Sequence, residues 1–434
     1  MSAPNRRRRL NGSRMKILDA RGKINERWIL PQLTRRPEPD RKVRRAVERI
    51  LAEVRKGGDT ALVRIHNRFA VKKIKKANLR VRGKFRAPSA EIKRALALAE
   101  KNIAEFAQAT RPKAWRKRNR EGAVTGENFP ALGRVGVYVP GGTAPLVSTA
   151  LMTVVLARVA GVKEIVACTP GPVNPVLGWA LQKAGATEIY QVGGAQAVAA
   201  MAFGTESIRP VEKICGPGSA WVVEAKRQVF GAVGIDLLPG PSEIAVIADE
   251  TCRPEWVAAD LVAQAEHGPG SQIFLLTPSM KILGQVLAEV LNQSSRQSRA
   301  QYLRGVLKSG AVLVRTSDLR QSVELAEAIA PEHLSLQCRG AKKIAEKIRC
   351  AGAVFVGNYS AVALGDYVAG PSHTLPTGGA GRTFAGLRVE DFVKRVSVVE
   401  YGAAAVRKSV RAASALARLE RLDAHADSVE TRVR

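Results

Sequence analysis

Residues 134–168, RVGVYVPGGTAPLVSTALMTVVLARVAGVKEIVAC, decide the fold. Val135–Val139 is a short apolar run of the kind that forms a buried strand, and Glu164–Cys168 is a second. Between them, past the Gly141-Gly142 turn, Ser148–Ala160 has the length and apolar content of a helix lying on a sheet. Strand, helix and strand in that order make a parallel pair joined by a crossover.

The same grammar runs outward. Further strands are expected at Glu188–Val192, Lys213–Cys215 and Ile244–Ala248, with helices at Val176–Ala184 and Ala195–Phe203. A second series places strands at Gln272–Leu276, Ala311–Val314, Leu334–Gln337 and Ala353–Val356. Its helices are Glu255–Ala265, Met280–Leu291, Leu319–Ile329 and Ala341–Ala351. Two tandem α/β domains with parallel sheets account for both series. From Asp40 to Arg120 apolar residues recur at helical spacing, interrupted at Gly57-Gly58 and restarted at Pro88-Ser89, where proline and a capping serine suit a helix start. The chain returns to helix from Asp391 to His425. The resulting division is a basic, disordered tail at 1–14, a helical N-terminal region at 15–125, α/β domains at 126–243 and 244–380, and a C-terminal tail at 381–434.

The chain has 434 residues and a formal charge of +31, unevenly spread. Residues 1–120 hold 37 Lys/Arg against 10 Asp/Glu, whereas the remainder is almost balanced at 32 against 28. The basic runs lie between helical patterns without interleaved aromatics, so they read as solvated helix faces, and nucleic acid is not the expected partner. No apolar run approaches the roughly 20 residues of a membrane span, and no secretory segment opens the chain, so a cytoplasmic protein is expected. Met15 is an alternative start. Five scattered cysteines without a C-x-x-C pair exclude a disulfide framework and a thiolate zinc site.

Glycine pairs at Gly141-Gly142, Gly193-Gly194 and Gly216-Pro217-Gly218 serve either a dinucleotide or plain chain reversal, since none completes G-x-G-x-x-G. Histidine is scarcer and more informative. His66 lies in a helical pattern among basic residues and is read as a surface residue. The other four sit in polar clusters: Gln264 to His267, Glu332-His333, Asp366 to His373, and Asp423 to His425. Gln264 and His267 are three apart and share a helix face. From spacing alone such clusters are caps and turn formers more often than metal sites.

The series of segments, in order from about residue 16, resembles the histidinol dehydrogenase family. The carriers are RVGVYVPGGTAPLVSTALM (134–152), VGGAQAVAAMAFGTE (192–206), VEAKRQVFG (223–231), GIDLLPGPSEI (234–244), AADLVAQAEHGPGSQ (258–272), PEHLSLQ (331–337), GDYVAGPSHTLPTGG (365–379) and LDAHADSVETRV (422–433). The resemblance implies two incomplete Rossmann-like domains, with a helical N-terminal region and a C-terminal helical tail that crosses over in a homodimer with shared active sites. It implies two successive NAD-dependent oxidations of L-histidinol, through L-histidinaldehyde, to L-histidine, the last step of histidine biosynthesis. It further implies one zinc per subunit, held by Gln264, His267 and Asp366 of one chain and His425 of the other. Glu332 and His333 match the catalytic pair, with His333 the base for both oxidations and Glu332 activating the hydrating water. Ser148, Ser242, His373 and Glu420 match substrate contacts beside Gln264, His267, His333, Asp366 and His425. Tyr138 and Gln196 match cofactor contacts, as does Ser219, where the family usually has asparagine. That exchange implies weaker cofactor binding. The rival readings are a paralogous dehydrogenase acting on another hydroxylated compound, such as a sulfonated diol, and a basic nucleic-acid-binding protein on the same scaffold.

Overall fold

The chain opens on β1 (Lys16–Asp19), followed by helices α1 (Lys23–Leu33), α2 (Arg41–Phe69) and α3 (Ala90–Thr110). The computed structural model describes residues 15–34, 40–70, 72–141 and 145–434, and of residues 23–26 the backbone alone. The tail expected over 1–14 and Gly142 of the first glycine turn lie outside the described residues. Asp40 caps α2 by accepting from the Lys42 N–H, and Ser89 caps α3 by accepting from Ile92. Gly58, with φ of 50°, breaks α2 where the glycine pair foretold an interruption.

Next come β2 (Trp115–Arg118) and β3 (Val124–Asn128), which pair antiparallel. The first α/β unit is β4 (Arg134–Tyr138), α4 (Val147–Ala160), β5 (Glu164–Cys168), α5 (Pro175–Ala184), β6 (Glu188–Tyr190), α6 (Gly194–Phe203), β7 (Lys213–Cys215), α7 (Ala220–Val229) and β8 (Gly234–Ile235). Its sheet runs β6-β5-β4-β7-β8, all parallel. The second unit is β9 (Glu243–Ala248), α8 (Pro254–Ala265), β10 (Gln272–Thr277), α9 (Met280–Ser295), α10 (Ala300–Ser309), β11 (Ala311–Arg315), α11 (Leu319–Ile329), β12 (His333–Gln337), α12 (Ala341–Ala345), β13 (Ala353–Val356) and α13 (Val362–Tyr367). The chain closes with β14 (Val396–Glu400), α14 (Ala403–Leu419) and α15 (Asp423–Glu430).

The second sheet runs β1-β11-β10-β9-β12-β13, also parallel. Numbered within its own unit, each sheet has its third strand, second, first, fourth and fifth side by side, which is the Rossmann order without its sixth strand. The tandem α/β expectation therefore holds. Lys16–Asp19 was not foreseen as a strand; it extends the second sheet by pairing with Val312–Arg315. Nor was the small antiparallel sheet β14-β3-β2 foreseen.

Side-chain alternation divides the first sheet. Val135 and Val137 of β4 point into a core shared with α3, α4 and α5, while Tyr138 points into a core shared with α2, α6 and α7. At the strand starts the Arg134 guanidinium is buried between Glu164 and Glu188, bonding Glu188 bidentately at 2.9 Å. Among the described residues no helix is long and apolar enough to cross a membrane, and the five cysteines are free.

Candidate active site

Four loops leave the carboxyl ends of β4, β5, β6 and β7 and wall a cavity of about 1110 Å³, lined among others by Gly141, Thr169, Gly193, Gly194, Gln196 and Ser219. Open α/β sheets bind ligands at this end, near the point where strand order reverses. Gly194 opens α6 with φ of 75° and donates its N–H to the Tyr138 hydroxyl at 3.0 Å. Tyr138 thus braces the glycine turn, and burial pushes its hydroxyl up to about 12. Gly216 is obligatory, because its φ is 111° and a Cβ there would stand 2.2 Å from the Tyr138 carbonyl oxygen. Asp236 accepts from the Gly216 N–H at 2.7 Å, and the buried Lys226 ammonium donates to the Gly216 carbonyl at 2.9 Å while pairing with Asp236. Ser219 begins α7 without using its hydroxyl as a cap.

The second cluster sits at the opposite end of the second sheet, at the starts of β9 and β12. Glu332 and His333 are buried there. The Ser242 hydroxyl donates to Glu332, and the Glu243 N–H donates to the same oxygen at 3.0 Å. His333 bonds the Glu243 carbonyl through Nδ1 at 3.0 Å. A carbonyl only accepts, so Nδ1 carries the hydrogen and Nε2 is the titrating nitrogen, 3.6 Å from Asp366 Oδ1. Burial opposes a charged ring, but the Glu332 and Asp366 carboxylates outweigh it and raise His333 to about 9. Burial lifts Glu332 above the usual carboxylate range. Burial would raise Asp366, but the neighbouring His333 ring and the imidazoles of His373 and His267 hold it below its ordinary value.

His373 links this cluster to the first unit. Its Nδ1 bonds the Asp366 carbonyl at 2.9 Å, and its Nε2 lies 3.2 Å from the Thr149 hydroxyl on α4, beside Ser148. Burial holds its pKa below the usual histidine range. Gln264 is buried at the end of α8, and neither its amide oxygen nor its nitrogen has a partner among the described residues. His267 follows it, bonding the Gln264 carbonyl through Nδ1 at 3.3 Å, and acts electrostatically on Glu332, Asp366 and His373. The chain therefore brings together Ser242, His267, Glu332, His333, Asp366 and His373. Glu420 and His425 stand apart, exposed beside a separate groove between α14 and α15.

The zinc expectation is corrected. Among the described residues no group of three or more His, Cys, Asp or Glu side chains is placed to hold a metal ion. Of the four residues named for it, Gln264 offers only a neutral amide and His425 lies on the C-terminal arm, leaving His267 and Asp366. Two such ligands fall short of the three or four protein donors a zinc site requires. The surface assignment of His66 is corrected as well: it is buried and lines the cavity of the first unit. Its helical pattern is right, but the charged neighbours concealed which face it occupies. Sequence reasoning also missed the Glu243 backbone and Thr149, the first because any residue supplies a carbonyl.

Likeness to known proteins follows the whole chain. The histidinol dehydrogenase family profile matches residues 33–433. The histidinol dehydrogenase of Synechococcus sp. is 42% identical over 396 residues, covering 89% of this chain and 91% of that protein. That of Geobacillus kaustophilus is 40% identical over 426 residues, covering 96% and 99%. The crystal structure of histidinol dehydrogenase from Elizabethkingia anophelis superposes with a TM-score of 0.92 at 32% identity, covering 98% of this chain and 99% of that one. With both parallel sheets, the glycine cradle and the Glu332–His333 cluster in the places these segments require, the chain belongs to the histidinol dehydrogenase family.

Proposed function

We propose that the protein oxidises L-histidinol to L-histidine through L-histidinaldehyde, in the cytoplasm, with NAD+ as oxidant. The observation that carries this reading is the buried Glu332–His333 pair, with Nε2 of His333 turned to the site and Ser242, Asp366 and His373 around it. NAD+ supplies the hydride acceptor in each oxidation, and the cavity at the ends of β4 to β7 is the fitting place for it. Its Gly193-Gly194 backbone, the N-terminus of α6 and the Thr169 hydroxyl, which has no partner among the described residues, suit a phosphorylated, hydroxylated ligand.

In the first oxidation, neutral His333 takes the hydroxyl proton of the alcohol at Nε2 as the carbinol hydride leaves. Glu332 then takes a proton from the water that adds to the aldehyde. In the second oxidation His333 takes a proton from the hydrated aldehyde as its hydride leaves, giving the carboxylate. One histidinol and one water consume two NAD+. In this reading Gln264, His267, Asp366 and His373 hold the amine and imidazole of the substrate, with Ser148 and Ser242 as hydroxyl contacts, and orientation of this kind supplies much of a rate enhancement. Tyr138, Gln196 and Ser219 belong to the cofactor side.

The reading includes a homodimer. Leu416, Leu419 and Leu422 of the C-terminal arm are 61%, 79% and 41% exposed, an apolar stripe that a second subunit would cover. Glu420 and His425 lie on the same arm, so the arm would deliver them to the partner's site.

Adding L-histidinol to purified protein with excess NAD+ tests the activity. Two NADH per histidinol, lost in His333→Ala, is the expected result. NADH formation from a different alcohol, with none from histidinol, would favour a paralogous activity.

A further inference from the structure

His66 is the buried histidine that the mechanism leaves unused. It lies on α2, is 3% exposed and lines the cavity of the first unit. Its ring is hydrogen-bonded to the Lys72 backbone, while Nε2 is buried without a partner among the described residues. Thr169, fully buried at the end of β5, lines the same cavity, and its Oγ1 is likewise unpartnered. Buried polar groups in native proteins are bonded almost without exception. Two exceptions on one cavity point to a ligand that completes them.

The fold indicates which part of the ligand they meet. Because α2 packs with α6 and α7, His66 comes from the face of the first sheet opposite α4. The chemistry lies on the α4 side, where Thr149 meets His373. A dinucleotide whose nicotinamide is directed toward His333 therefore turns its adenosine half toward α2. The described lining contains no Lys, Arg, Asp or Glu, which suits neutral hydroxyls and a neutral purine.

We propose that His66 is a ligand contact of the cavity: Nε2 accepts a hydrogen bond from a hydroxyl or amine of the adenosine half of the dinucleotide, with Thr169 Oγ1 as a second polar contact. A ring bonded to a backbone carbonyl keeps its hydrogen on that nitrogen, leaving Nε2 as an acceptor. Burial lowers the His66 pKa and keeps the ring neutral. This proposal rests on the reading of the cavity as the dinucleotide site.

Titration calorimetry with NAD+ and with ADP-ribose, on the full-length wild type and on His66→Phe, His66→Asn and Thr169→Val, tests it. His66→Phe should weaken both ligands about three- to tenfold, the loss of one hydrogen bond. His66→Asn, which retains an acceptor, should recover part of the affinity. In 15N spectra of the wild type the His66 Nε2 resonance should move on adding ADP-ribose, a readout that needs no variant to fold. Unaltered affinity in His66→Phe, a loss confined to NAD+, or an unmoved Nε2 resonance would each overturn the proposal. If the wild type bound neither ligand, the dinucleotide reading would fall and the proposal with it.

Discussion

His333 Nδ1 is bonded to the backbone carbonyl of Glu243 at 3.0 Å, which commits the opposite nitrogen of the ring to proton transfer. Because the partner is backbone, no side-chain substitution at 243 removes the acceptor itself. The tautomer is set by the register of β9 against β12, in which His333 pairs with Ile244.

The pH profile follows from this bond and the carboxylates around it. A base must be neutral to accept a proton, and His333 is raised to about 9, so it is largely protonated at neutral pH in the free enzyme. The rate at low substrate should rise about tenfold per pH unit from 7 to 8 and level near the His333 pKa. Asp366→Asn removes one of the charges that raise the ring, so its profile should shift to lower pH, though with weaker substrate binding. A profile flat from 7 to 9 would dismiss His333 as the titrating base.

Glu332→Gln should separate the two oxidations. The amide preserves the shape accepted by Ser242 and Glu243 but cannot take a proton from water. Oxidation of histidinol should persist while oxidation of added histidinaldehyde falls about 10²- to 10⁴-fold, the usual contribution of a general base. Equal losses in both would place Glu332 in support of His333 and not in hydration.

Ser219→Asn tests the expectation that serine, where the resemblance implies asparagine, weakens cofactor binding. The Ser219 hydroxyl makes no capping bond, and asparagine caps as well as serine, so the change is expected to leave α7 intact. An added amide contact should tighten NAD+ about three- to tenfold, equivalent to about 0.5–1.5 kcal/mol. Unchanged affinity in a calorimetric titration would remove Ser219 from the list of contacts.

The Arg134–Glu188 pair gives a prediction about stability in acid. Its bidentate bond with Arg134, working against burial, lowers Glu188 from 4.5 to about 2. A carboxylate with a depressed folded pKa contributes stability above its unfolded value, and that contribution is lost as pH falls from about 4.5 through about 2. Glu188→Gln should lower the melting temperature at pH 7 and flatten its decline over that interval, because Arg134 is left partly unpaired in a buried place. An unaltered acid limb would assign the loss of stability to other carboxylates.

Shared sites can be tested by mixing subunits. His333→Ala and His425→Ala homodimers should each be nearly inactive. After dissociation and reassembly at equal amounts, half the dimers are mixed and each holds one intact site, giving about a quarter of wild-type activity. No recovery would mean that His425 serves its own chain or none.

Much of this was legible in the sequence, for identifiable reasons. Strands buried on both faces, such as Glu164–Cys168 and Ile244–Ala248, read as continuous apolar runs, and the alternating helices between them announce the parallel sheets. Lys16–Asp19 did not announce itself. It is short, carries a charge at each end and takes its identity from a strand far along the chain, at Val312–Arg315. The all-exposed Trp115–Arg118 was hidden for the same reason, since pairing with β3 and not burial makes it a strand. In the site, the motifs marked Glu332, His333 and Asp366, but the geometry that tunes them is set by backbone and burial. His66 shows the limit most clearly, because its face was obscured by basic neighbours and its role depends on what α2 packs against.

The place of β1 has a consequence for synthesis. Lys16 lies beside Val312 and Asp19 beside Arg315, so the first strand made has no partner until β11 has left the ribosome. In the meantime it is an unpaired edge, and an unpaired edge is a template for other chains. The first unit, complete by Ile235, is free to fold in that interval, whereas the second must wait for a segment that emerged long before it. The charged ends of Lys-Ile-Leu-Asp suit a strand that has to stay apart for so long.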